Sequence, residues 1–166
     1  MSTRWVCAVI AIAALQIAGA AELRVAGGAA LADVRHLTEA GPALEVGIDH
    51  QVDHGAWRAT VAWIGEQDVT TSGAIHQRGT IGDYWLAGAQ GVYQHQVGRV
   101  RLEAGAGLAW RTEARNVHYL LPSRANFNLT LGLRIGRTTI EARHISNGWT
   151  SDGNKGQNWL QVGIAF

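Results

Sequence analysis

Residues 141–166 read EARHISNGWTSDGNKGQNWLQVGIAF. At the start of this stretch Ala142, His144 and Ser146 alternate with Glu141, Arg143 and Ile145. At its end Asn158, Leu160, Val162, Ile164 and Phe166 alternate with Trp159, Gln161, Gly163 and Ala165. A period of two puts each set on one face of a strand. The polar segment between them, 148–156, joins the two strands as a loop. The reading is a hairpin with an oily face, on which a histidine and a serine stand two residues apart close to the loop. An ordinary soluble sheet has little cause to place that pair there.

The same alternation recurs upstream. Leu44, Val46 and Ile48 alternate with Glu45, Gly47 and Asp49, and Trp57, Ala59, Val61 and Trp63 with Arg58, Thr60 and Ala62. The run from Val100 to Trp110 and the run from Phe127 to Ile135 behave likewise. No helical period is sustained after residue 20. Eight strands are expected, near 22–32, 43–52, 56–65, 82–96, 99–111, 126–136, 138–147 and 157–166. The connections after the second, fourth and sixth are very short: Asp53-His54-Gly55, Val97-Gly98 and Gly136-Arg137. Those after the first, third, fifth and seventh are long, about 33–42, 66–81, 112–125 and 148–156. Tight turns at one end and long loops at the other define an all-β, eight-stranded antiparallel up-and-down β-barrel of the outer-membrane type.

The ends of the chain agree with that reading. Residues 1–20 combine Arg4, an apolar run from Trp5 to Leu15 and the small residues Ala18, Gly19 and Ala20. This is the pattern of a secretory signal peptide, which leaves residues 21–166 as the barrel domain. The single cysteine, Cys7, lies inside the leader, so the mature chain has no disulfide framework. No later segment approaches eighteen consecutive apolar residues, so any membrane crossing must be made by a closed barrel. Trp57, Trp63, Trp85, Tyr93 and Trp110 fall near strand ends, where interfacial aromatic girdles belong. The terminal Phe166 resembles the signal read by the outer-membrane assembly machinery of Gram-negative bacteria. Both termini are then periplasmic and the outer membrane is the expected location.

Charge is nearly balanced, 14 basic against 13 acidic residues. That argues against nucleic-acid binding. Glu45, Arg58, Arg101, Glu103, Arg134, Glu141 and Arg143 fall on the polar faces, and in a narrow barrel they must point inward and pair. The alternative is a soluble eight-stranded carrier of the lipocalin kind, with the apolar set inside. Alternation alone does not separate inside from outside; the turn asymmetry, the girdles and Phe166 favour the membrane version.

The seventh strand rises from the periplasm, so His144 and Ser146 are its last outward residues and face the outer leaflet, where lipopolysaccharide resides. The eighth strand descends and brings Asn158 roughly beside His144. A serine hydroxyl becomes a nucleophile when a base takes its proton, and histidine does this near neutral pH. A third group, here Asn158, fixes the imidazole tautomer by accepting its other N–H. Asn147, Asn154 and backbone N–H groups around Gly148 are the nearest donors for an oxyanion. No histidine group has convincing zinc spacing, and no phosphate loop is present.

The string His144-x-Ser146-Asn147, then Asn154-x-Gly156-x-Asn158 and an apolar last strand, resembles the lipid A 3-O-deacylase (PagL) family. The resemblance implies an eight-stranded outer-membrane barrel with its active site on the lipid-facing wall. It further implies release of the ester-linked 3-hydroxyacyl chain at position 3 of lipid A, without metal or other cofactor. It carries over His144 as general base and Ser146 as nucleophile; Asn147 and Asn154 match the asparagines framing the family's site, and Gly156 its loop glycine. One position departs: the family's catalytic acid is a Glu, and here it is Asn158. Either the Asn158 amide oxygen accepts the imidazole N–H, or Asp152 or Glu113 serves as the acid, or activity is weak or lost. The last case is an inert barrel with a structural or lipid-binding role. The sequence sets no oligomeric state; a homodimer is compatible with it.

Overall fold

The computed structural model describes residues 21–31, 40–70, 78–147 and 156–166. The expected signal peptide, and among the site residues Gly148, Asp152 and Asn154, lie outside the described residues. Among the described residues there are ten strands: β1 (Ala21–Leu31), β2 (Ala40–Val52), β3 (Gly55–Ile64), β4 (Gln67–Thr70), β5 (Arg78–Ile81), β6 (Tyr84–Val97), β7 (Val100–Arg111), β8 (Ala125–Ile135), β9 (Thr138–Ser146) and β10 (Gln157–Ala165). Eight of them close a barrel in the order β1-β10-β9-β8-β7-β6-β3-β2, with every neighbouring pair antiparallel. Closure by β1 on β10 pairs Arg24 with Ala165 and Leu31 with Asn158, so no barrel edge is left unpaired. The tight turns fall where the sequence places them. Gly98 and Gly136 take φ of +60° and +59°, the left-handed first position that two-residue hairpins need and that glycine occupies without penalty.

Three details differ from the sequence reading. The 66–81 connection is not all loop: β4 and β5 form a separate two-stranded hairpin there. The strand β2 starts at Ala40, because Ala40-Gly41-Pro42, poor in strand formers, still pairs with Ala29–Leu31. The 112–125 connection contains a 3-10 turn, Val117–Tyr119, and sends Val117, Leu120 and Leu121 into full burial. They join Ile64, Ile81, Tyr84, Leu86, Ile145 and Trp159 in one apolar cluster. This cluster plugs the long-loop end of the barrel. Beside it the Tyr84 hydroxyl and the Gln67 amide both donate to Gln157 Oε1, at 2.8 and 2.9 Å.

The apolar set faces out. Leu44, Trp57, Leu108, Leu131, Leu160 and Val162 stand exposed on the outer wall, Leu131 at 68 %. The alternate residues are buried and polar. Arg58 forms a two-point pair with Asp49 at 2.7 and 2.8 Å and also reaches Glu103 at 2.8 Å and Glu141 at 2.6 Å. Glu141 further accepts from Arg143 at 2.7 Å and Arg24 at 3.0 Å, and Glu45 accepts from Arg143. The Arg143 guanidinium also lies 4.9 Å from the centre of the Trp159 ring. Burying an unpaired ion is costly, so the charges of each sign are interleaved across the lumen. A carrier with an apolar interior is thereby excluded. A wall that is oily outside and an interior that is ionic suit a lipid solvent.

Candidate functional site

The end of β9 carries the candidate residues. His144 is half-buried on the outward face, in line with Ile140 and Ala142, and Ser146 follows two residues on with 9 % exposure. A spacing of two residues along a strand is about 6–7 Å. Strand pairing sets the third residue: β10 runs back beside β9 with Asn158 directly opposite His144. Asn158 Oδ1 lies 2.9 Å from His144 Nδ1. With the amide oxygen as acceptor, Nδ1 carries the hydrogen and Nε2 is the unprotonated nitrogen. The expected juxtaposition of His144 with Asn158 is therefore present in the register itself.

Ser146 and His144 share the outward face, and among the described residues the ring's hydrogen bond runs to Asn158 and not to Ser146. Contacts of this kind often tighten only when substrate binds. On the other side of β9, Ser146 is paired with Phe127 and His144 with Leu129, both half exposed to the outside. The polar pair is thus bordered by an apolar wall. Asn147, the residue after the strand, is buried at the same rim.

Gly156 closes against the ring. Its φ is +70°, and a Cβ there would lie 2.6 Å from His144 Cε1 and 3.2 Å from Nε2. Only a residue without a side chain fits so near the imidazole in that backbone conformation. The Gly156 N–H donates to the Leu120 carbonyl at 3.2 Å, which ties the site to the apolar plug. This tie was not foreseen from the sequence. Its signal was the apolar run Leu120-Leu121-Pro122 inside a stretch otherwise read as loop.

Of the two acids considered as substitutes for Asn158, Glu113 is engaged elsewhere. Its carboxylate accepts from Arg124 at 2.8 Å and from Arg111 at 3.3 Å. The Arg124 hydrogen bond, and then that of Arg111, hold it below the usual carboxylate range. Asp152 lies outside the described residues. Among the described residues no three His, Cys, Asp or Glu side chains gather as a metal site.

Inward charges, an oily outer wall and short turns opposite long loops define an outer-membrane-type barrel, with His144, Ser146 and Asn158 as a candidate site at its rim. Comparison with known proteins specifies the family. The family profile described as lipid A 3-O-deacylase (PagL) matches residues 43–166, most of the chain, and the protein belongs to that family. Among solved structures, the outer membrane enzyme PagL is similar with a TM-score of 0.55 and 19 % identity, over 87 % of this chain and 98 % of that one. Neisserial surface protein A is similar with a TM-score of 0.51 and 12 % identity, over 87 % of this chain and 94 % of that one. At such identities these likenesses bear on the fold alone. No curated protein sequence matches the chain.

Proposed function

We propose that the protein is an outer-membrane esterase that removes the ester-linked 3-hydroxyacyl chain at position 3 of lipid A in the outer leaflet. Ser146 Oγ attacks the ester carbonyl while His144 Nε2 takes its proton. The oxyanion is held by donors from Asn147, Asn154 and the backbone near Gly148. Collapse of the tetrahedral intermediate forms an acyl-Ser146 ester, and His144 returns the proton to the departing sugar oxygen. Water, deprotonated by His144, then releases the fatty acid and restores the serine. Asn158 accepts the Nδ1 hydrogen and keeps Nε2 free for these transfers. The reading needs no metal or cofactor. It also takes residues 1–20 as a leader removed on export, and Phe166 as the contact for the barrel-assembly machinery.

The observation that carries the proposal is the 2.9 Å contact between His144 Nδ1 and Asn158 Oδ1 on the lipid-facing wall, with Ser146 two residues along the same face. Family membership supports the substrate. The test is mass spectrometry of lipid A from Gram-negative cells with and without this chain. Loss of one 3-hydroxyacyl mass in cells making the natural protein, and no loss with Ser146→Ala or His144→Ala, is the expected result. Full deacylation by either variant, folded in the membrane, ends the mechanism.

A second reading is favoured by one residue, Asn158. An amide cannot supply the negative charge that stabilises an imidazolium, and in a serine protease the Asp-to-Asn exchange costs about four orders of magnitude. On this reading the chain is a catalytically inert outer-membrane barrel with a structural or lipid-binding role. Deacylation that appears only in Asn158→Glu would establish it.

A further inference from the structure

We propose that Arg111 and the apolar plug are positioning elements for the His144 imidazole, acting across the barrel wall through Leu120 and Gly156. The inference deepens the esterase reading and rests on it only for the assay of rate.

The chain of contacts begins inside the barrel mouth. Arg111 ends β7 with its side chain turned inward and buried. Its Nε donates to the carbonyls of Leu121 at 2.7 Å and Ser123 at 3.0 Å, and Nη2 donates to that of Pro122 at 3.2 Å. One guanidinium thus gathers the carbonyls of three consecutive residues, the last of which also accepts from the Asn126 amide at 3.0 Å. The turn held in this way presents Val117, Leu120 and Leu121 to the plug, each with no exposed surface.

The plug meets the candidate site at two points. Ile145, between His144 and Ser146 in sequence but on the opposite face, is part of the same apolar cluster. The Leu120 carbonyl accepts the Gly156 N–H at 3.2 Å, and Gly156 abuts the His144 ring on its Cε1–Nε2 side. The imidazole is therefore held between Asn158 at Nδ1 and the Gly156 backbone at the far edge. Displacing the plug moves the second of these while leaving the first intact. The described plug side chains Val117, Leu120 and Leu121 are fully buried, so substrate binding on the outer wall is expected to be little affected.

The experiment uses the full chain in detergent micelles, with assembly confirmed by heat-modifiable migration. Two quantities are read. One is the proton–carbon resonance of the His144 Cε1 group, assigned by its absence in His144→Gln. The other is kcat and KM for release of fatty acid from lipopolysaccharide. Arg111→Met removes the donors to the turn, Leu121→Ala loosens the plug with every strand pairing kept, and Gly156→Ala pushes a methyl group into the ring. Each is expected to shift the His144 resonance and to lower kcat by about tenfold to a hundredfold, the effect of a small misplacement remote from the reacting atoms. KM is expected to stay near the natural value, and Arg111→Lys to recover part of the loss. A His144 resonance unmoved in assembled Arg111→Met and Leu121→Ala overturns the role of the plug, whatever Gly156→Ala does. A shifted resonance in a protein that releases no fatty acid supports the positioning and rejects the esterase.

Discussion

At the scale of single residues, the strand period assigns Ser146 and His144 to one face, and the ladder pairs His144 with Asn158. The sequence shows the parity directly, because successive side chains alternate. It leaves open which acid or amide meets the ring, since nothing in the sequence prefers Asp152 or Glu113 as a substitute for the missing Glu. Strand register sets Asn158 against the ring, and Arg124 with Arg111 engages Glu113, while Asp152 lies outside the described residues. Replacing Asn158 by Glu is expected to raise the deacylation rate, by up to about four orders of magnitude if the missing charge is the whole deficit. Initial rates on purified lipopolysaccharide measure this, and an unchanged or lower rate would mean that the amide is the fitted partner. Ser146→Ala is expected to leave assembly unchanged on a heat-modifiability gel while fatty-acid release falls to the background of the buffer.

Among elements, the long connections differ most from their sequence reading. Loop composition around 112–125, with Pro122 and scattered polar residues, conceals three fully buried side chains. A plug has no period, so pattern reading cannot find it; burial in the mouth depends on where β6, β7 and β10 stand. The β4–β5 hairpin is hidden for a related reason, as four-residue strands show too few alternations to register. Truncating the plug by Leu120→Ala is expected to cost about 2–5 kcal/mol of unfolding free energy, the range for emptying a packed leucine site. Urea unfolding in micelles followed by tryptophan fluorescence reads it. A loss below about 0.5 kcal/mol would show that the plug is not packed as described.

For the whole molecule, two solvents are separated by one layer of strands. The interior is ionic, and its arginines and acids are mutually dependent. Arg58→Met leaves Asp49 without its two-point partner and removes a donor from Glu103 and Glu141. The expected destabilisation is about 3–5 kcal/mol, the cost of leaving buried charge unpaired, read as a lower urea midpoint in micelles. The exterior is lipid-facing, and Leu131→Arg in the middle of β8 is expected to cost about 2–4 kcal/mol in refolding into phospholipid vesicles. The same substitution in a water-soluble barrel would be nearly neutral, so the vesicle measurement separates the two solvents. By itself the amino-acid order determined the number of barrel strands, their turns and the face each side chain occupies, because alternation and glycine turns are local properties. Only the closed structure decided which face is inside, how the buried charges pair across the lumen, and that a loop fills the mouth and hydrogen-bonds Gly156 beside the histidine. Those depend on residues as far apart as Arg58 and Glu141, or Leu120 and Gly156, meeting through barrel closure, and no local pattern encodes that meeting.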